Sequence, residues 1–167
     1  MKKTFSLSGA RDAFPVTRRH LLFGCVGIVA GSLALPSLAV IPVHRVQIYK
    51  NASCGCCGAW AAHMKSAGFD VSVTEVDDTT AVRKRFGMPD RFGSCHTATI
   101  DGYVLEGHVP AAEVKRLLAA KPNVIGLAVP SMPPGSPGME MGSRKDPYQV
   151  LLIDRAGKDS VFARFAQ

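Results

Sequence analysis

Polar and apolar residues alternate along Arg45-Val46-Gln47-Ile48-Tyr49-Lys50, the pattern of a half-buried strand. Three cysteines at positions 54, 56 and 57 follow directly. From Gly58 to Ala67 the residues Trp60, Ala61, Met64 and Ala67 then recur at helical spacing, and Gly68 is placed to end the helix. The cysteines therefore fall at a helix N-terminus. Alternation returns over Asp70 to Val76, which predicts a second strand, parallel to the first through a right-handed crossover. A helical stretch is expected around Thr80 to Phe86, with Asp77-Asp78 as its turn or cap. Thr97 to Ile100 and Tyr103 to Glu106 flank Asp101-Gly102, a two-residue hairpin signal, and Pro110 opens a helix through Ala120. Residues 130–142 hold too much Pro and Gly for regular structure and predict a loop. Tyr148 to Asp154 and Ser160 to Phe165 predict a terminal hairpin that extends the sheet.

This order, β-α-β-α-β-β-α over residues 45–120, resembles the thioredoxin fold, which keeps its active site between the first strand and its helix. The resemblance implies an α/β domain with a central mixed β-sheet flanked by helices, here with a C-terminal hairpin extension. In the same comparison Cys95 falls on the loop entering the third strand, where thioredoxin-like oxidoreductases place a proline; Ser94-Cys95-His96-Thr97 has none.

The first 39 residues follow another pattern. Lys2, Lys3, Arg11, Arg18 and Arg19 precede an apolar run from Leu21 to Leu35, and Ser37-Leu38-Ala39 offers a small-x-small cleavage site. The run is shorter than a bilayer span requires, so residues 1–39 are expected to be a cleaved signal peptide, leaving no stable membrane span. Thr17-Arg18-Arg19-His20-Leu21-Leu22 resembles a twin-arginine signal, which exports folded cargo and places the mature domain, residues 40–167, in the periplasm. Charge must be read accordingly. The full 167 residues carry 20 Lys/Arg against 13 Asp/Glu, but the leader holds five of those bases and one acid, so the mature balance is only +3. Arg83-Lys84-Arg85, read as a solvated helix face, is too short a basic run for a nucleic-acid partner.

Four cysteines remain after the leader and its Cys25 are removed. Thiols at a helix start are poised as thiolates, the form that attacks disulfides and binds metal. Cys54 and Cys57 alone have the spacing of a dithiol oxidoreductase. Cys56 between them would interfere with a disulfide pair yet supplies a third soft ligand, and Cys95 a fourth. Tetrahedral zinc usually draws on two separated pairs, whereas the adjacent Cys56-Cys57 suits bridging, as in a Cu(I)-thiolate cluster. An iron-sulfur centre and two structural bridges, Cys54 to Cys57 and Cys56 to Cys95, are the other readings. His96, Met132, Met139 and Met141 are candidate additional ligands, the methionines through a loop able to close over the cluster. His44, His63 and His108 are read as lying outside the site, and Trp60 and Met64 as core.

The C-x-C-C motif at Cys54, Cys56 and Cys57, with Cys95-His96 and the Met-bearing tail, resembles the CopG-type periplasmic copper-resistance family. The resemblance covers nearly all the mature chain. It implies copper binding by the four cysteines, with redox interconversion of Cu(I) and Cu(II), in copper homeostasis. Its implied partners are copper ions and other periplasmic copper-handling proteins; turnover of a substrate is not implied.

Overall fold

A computed structural model describes residues 43–140 and 142–166. The expected leader, residues 1–39, and Met141 lie outside the described residues. The elements are β1 (Arg45–Lys50), α1 (Gly55–Ser66), β2 (Asp70–Glu75), α2 (Thr79–Arg85), a short 3-10 turn (Asp90–Phe92), β3 (His96–Ile100), β4 (Tyr103–Glu106), α3 (Ala111–Ala120), β5 (Val124–Ala128), β6 (Tyr148–Asp154) and β7 (Asp159–Phe165). The strands form one mixed sheet in the order β2-β1-β3-β4-β5-β6-β7.

The expected α/β architecture is present. β1 and β2 are parallel, β1 pairs antiparallel with β3, and β3 with β4, an arrangement compatible with the thioredoxin-like order. The turn at Asp101-Gly102 has positive φ at both residues, 46° and 84°, as a two-residue hairpin requires. Asp78 caps α2 through its side chain, which accepts from the Thr80 and Ala81 amides at 2.8 and 3.2 Å. The C-terminal hairpin, β6 and β7, joins the sheet through β5.

β5 is an element that the alternation does not announce. It lies parallel to β4 and antiparallel to β6, and all five of its residues are buried, so it reads as a continuous apolar run. Gly126 within it is required by close approach, because a Cβ there would stand 1.8 Å from the Val104 carbonyl oxygen on β4. The main core joins Val46 and Ile48 of β1, Trp60 and Met64 of α1, Ala98 and Ile100 of β3, and Val114 and Leu117 of α3. Trp60 is fully buried and its indole donates to the Val109 carbonyl at 2.9 Å, fastening α1 to the turn before α3.

Candidate metal centre

Asn51 shapes the approach to the cysteines. Its carbonyl accepts from the Cys54 amide at 3.0 Å and its side chain from the Ser53 amide at 3.0 Å, which tightens the chain into a turn. α1 therefore begins at Gly55, three residues before the hydrophobic period suggests. Cys54 is its extended N-cap, and Cys56 and Cys57 lie in its first turn.

The fold brings all four predicted cysteines together. Their sulfurs lie within 4.8 Å of one another. Cys54 and Cys57 are joined as a disulfide, while Cys56 and Cys95 are free thiols. Cys56 Sγ is 3.6 Å from Cys54 Sγ and 3.8 Å from Cys95 Sγ. Cys57 is fully buried and the other three are half-buried. Burial, then the neighbouring Cys56, pushes the Cys95 thiol up to about 12, so without a cation beside it this sulfur keeps its proton.

Cys95 also meets two histidines. His96 Nδ1 is 3.3 Å and His108 Nε2 3.0 Å from Cys95 Sγ, and the two rings meet edge to face at 5.1 Å. His96 lies beside its neighbour because Cys95 precedes β3, so the strand's alternation does not separate the pair. Both rings are buried. Burial, then His108, lowers His96 to about 3, and burial lowers His108 as well, so both are neutral. His108 Nδ1 donates to the Pro137 carbonyl at 2.8 Å, which leaves the Nε2 lone pair facing Cys95.

His108, which the sequence reading placed outside the site, lies beside Cys95. His63 and His44 are elsewhere engaged: the His63 ring accepts from the Ala111 amide at 3.1 Å, and His44 pairs with Asp101.

A buried ion pair fixes the loop carrying Cys95. Glu106, fully buried, accepts from Arg83 Nε at 3.0 Å, from the Ser94 amide at 2.7 Å and from the Thr97 hydroxyl at 2.7 Å. Burial raises the pKa of this carboxyl, and the Thr97, Ser94 and Arg83 contacts oppose the rise. Arg83 also donates to the Ser94 carbonyl at 3.2 Å. The expectation of a solvated basic face fails here, because Arg83 turns inward to the carboxylate and is buried. Only Lys84 and Arg85 of that run are exposed.

The Pro/Gly loop folds onto the start of α1. Gly138, at φ +84°, comes so close that a Cβ would stand 2.7 Å from the Trp60 nitrogen and 2.9 Å from the Cys56 carbonyl oxygen. Met139 is buried in this loop, and Met132 is exposed.

Among the described residues no helix is long and apolar enough to cross a membrane. Residues 92–139, which include Cys95, His96, His108 and the loop, match a family described as a protein of unknown function, DUF411. No curated protein matches the chain. Two solved structures are similar. One, titled copper resistance protein copG, form 2, is 44% identical over 75% of this chain and all of its own length, with a TM-score of 0.72. The other, form 1 under the same title, is 45% identical over 76% of this chain and all of its own, with a TM-score of 0.71. At that identity and coverage the chain belongs to the CopG family of copper resistance proteins.

Proposed function

We propose that this chain is exported to the periplasm by its first 39 residues and there holds Cu(I) through Cys54, Cys56, Cys57 and Cys95 as a thiolate-bridged cluster serving copper resistance. The observation that carries this reading is the gathering of four sulfurs within 4.8 Å, at the start of a helix. Soft thiolates select Cu(I), and adjacent ligands such as Cys56 and Cys57 favour bridging several ions over enclosing one. Thiolates bound to a cation shed the protons that burial otherwise holds on them. His96 and the methionines at 132, 139 and 141 are candidate further ligands within the same reading.

The disulfide supports a redox side to this function. Two Cu(II) ions meeting the Cys54 and Cys57 thiols would be reduced to two Cu(I), the thiols giving up two electrons and two protons and forming one S–S bond. Reduction of that bond restores the four-thiol set. Other periplasmic copper-handling proteins are the natural donors or acceptors of the cargo.

Anaerobic titration of the reduced protein with Cu(I), in competition with a Cu(I) chelator, tests the proposal. The wild type should retain more than one ion against the chelator, and a variant with all four cysteines changed to Ser should retain none. Equal retention by the two proteins would overturn it. The Cys54–Cys57 disulfide favours one second reading, a thiol-disulfide oxidoreductase with Cys54 as nucleophile and Cys57 as resolving thiol. Metal-free protein that reduces insulin in a Cys54-dependent manner would support it.

A further inference from the structure

With Cys54 and Cys57 bonded to each other, two of the four sulfurs no longer offer thiolates, yet the centre keeps a second set of donors. Cys95 Sγ and ring nitrogens of His96 and His108 all lie within 4.8 Å of one another. Cys56 Sγ, also free, is 3.8 Å from Cys95 Sγ.

Two features of the histidines point to a ligand. The His108 ring is oriented by its bond to the Pro137 carbonyl, the arrangement that aims the opposite nitrogen of a ligating histidine at a metal. His96 is wholly buried with its Nδ1 3.3 Å from Cys95 Sγ, and among the described residues its Nε2 has no hydrogen-bond partner, an uncommon state for a ring held only for structure. Two imidazoles with two thiolates are a borderline set, matched to a tetrahedral divalent ion, whereas the four-sulfur set is soft.

We infer that, with the Cys54–Cys57 disulfide formed, Cys56, Cys95, His96 and His108 make a mixed nitrogen-sulfur site for a borderline divalent cation. The site goes beyond the Cu(I) cluster reading and borrows Cys56, Cys95 and the candidate ligand His96 from it, so the two sites fill in alternation. Oxidation of one cysteine pair then changes which kind of cation the centre accepts rather than abolishing binding.

Co(II) is a suitable probe because it does not oxidise thiols and reports its ligands by colour. The full-length protein is first shown by alkylation and mass to hold the Cys54–Cys57 disulfide, with Cys56 and Cys95 as free thiols. Titration should then yield one Co(II) per chain with a near-ultraviolet thiolate-to-cobalt band and strong visible bands of tetrahedral cobalt, both displaced by Zn(II). His108→Ala should weaken Co(II) binding by about 10-fold or more. Should that variant not fold, nitrogen NMR of histidine-labelled wild type serves in its place, with Zn(II) shifting one nitrogen each of His96 and His108. Absence of the thiolate band, unmoved histidine nitrogens, or undiminished binding by folded His108→Ala would overturn the inference. Cobalt failure in the oxidised protein alongside Cu(I) retention by the reduced protein refutes this inference alone. The reverse pair of results refutes the cluster reading alone.

Discussion

Glu106 is the group whose removal should most damage the centre without touching a candidate ligand. Its carboxylate satisfies Arg83 Nε, the Ser94 amide and the Thr97 hydroxyl, and it is fully buried. Glu106→Ala leaves the buried guanidinium with only the exposed Asp90, 3.7 Å away, opposite it, a class of change that costs up to about 3–5 kcal/mol, a large share of the roughly 5–15 kcal/mol that holds a domain together. Glu106→Gln should cost about half as much. Its amide oxygen can still accept from Arg83 and Ser94, and the Thr97 hydroxyl can turn to accept from the new NH2 group, so chiefly charge is lost. The double variant Arg83→Met/Glu106→Leu removes both charges and should be more stable than Glu106→Ala alone, since it strands no ion. Urea unfolding of the reduced, metal-free proteins measures these differences. The rate at which a disulfide reagent modifies Cys95 adds a second reading, because Ser94 loses its anchor and the thiol becomes more open. A Glu106→Ala cost below about 1 kcal/mol, or a double variant no better than the single, would refute the assignment of this pair as the support of the Cys95 loop.

Gly138→Ala forces a left-handed residue to carry a Cβ against the α1 backbone, so it should cost about 1–2 kcal/mol and speed reaction of the Cys56 thiol; unchanged melting and thiol kinetics would count against the strap. Acid should weaken the metal-free fold through its buried histidines. Their folded pKa values lie below the unfolded 6.5, so the unfolded chain takes up protons first and stability falls as pH drops below 6.5; for His96, folded value about 3, the loss at about pH 5.5 is roughly 1.4 kcal/mol. Burial lowers His63 and His108 in the same sense, and a urea midpoint unchanged between neutral pH and about pH 5.5 would contradict this. Cu(I) loading of the reduced protein should slow formation of the Cys54–Cys57 disulfide by diamide, since bound thiolates cannot pair with each other; equal rates by thiol counting, loaded and metal-free, would refute it.

Local chemistry explains which parts of the fold the sequence displays. β1 alternates because Val46 and Ile48 face the core, while β2, at the sheet edge, packs only Val71 against it, and the Asp101-Gly102 turn announces itself because few residue pairs tolerate positive φ at both positions. β5 is hidden for the opposite reason. Covered on both faces and interrupted by Gly126, it has no period to detect, and its glycine makes sense only once β4 lies beside it. Arg83 is hidden too. In a run of three bases it looks solvated, and its burial rests on the carboxylate of Glu106, 23 positions away, with Asp90 3.7 Å from its guanidinium. The Pro/Gly composition of residues 130–142 foretold a loop, but docking of Gly138 on α1 is a contact between distant segments that composition does not encode.

The centre divides along the same line. Cys54, Cys56 and Cys57 are neighbours in the chain, so their grouping needs no tertiary knowledge, and Cys95 follows once a thioredoxin-like order is supposed. His108 was within reach by one more step. The Asp101-Gly102 turn fixes the register of β3 against β4, with Ile100 facing Tyr103 and Thr97 facing Glu106. Two further positions outward from that turn, Cys95 comes opposite His108. A lone histidine reads as incidental until the hairpin register is counted, and then it faces the free thiol of Cys95. The turn that builds the hairpin is therefore also the device that adds nitrogen to a sulfur centre.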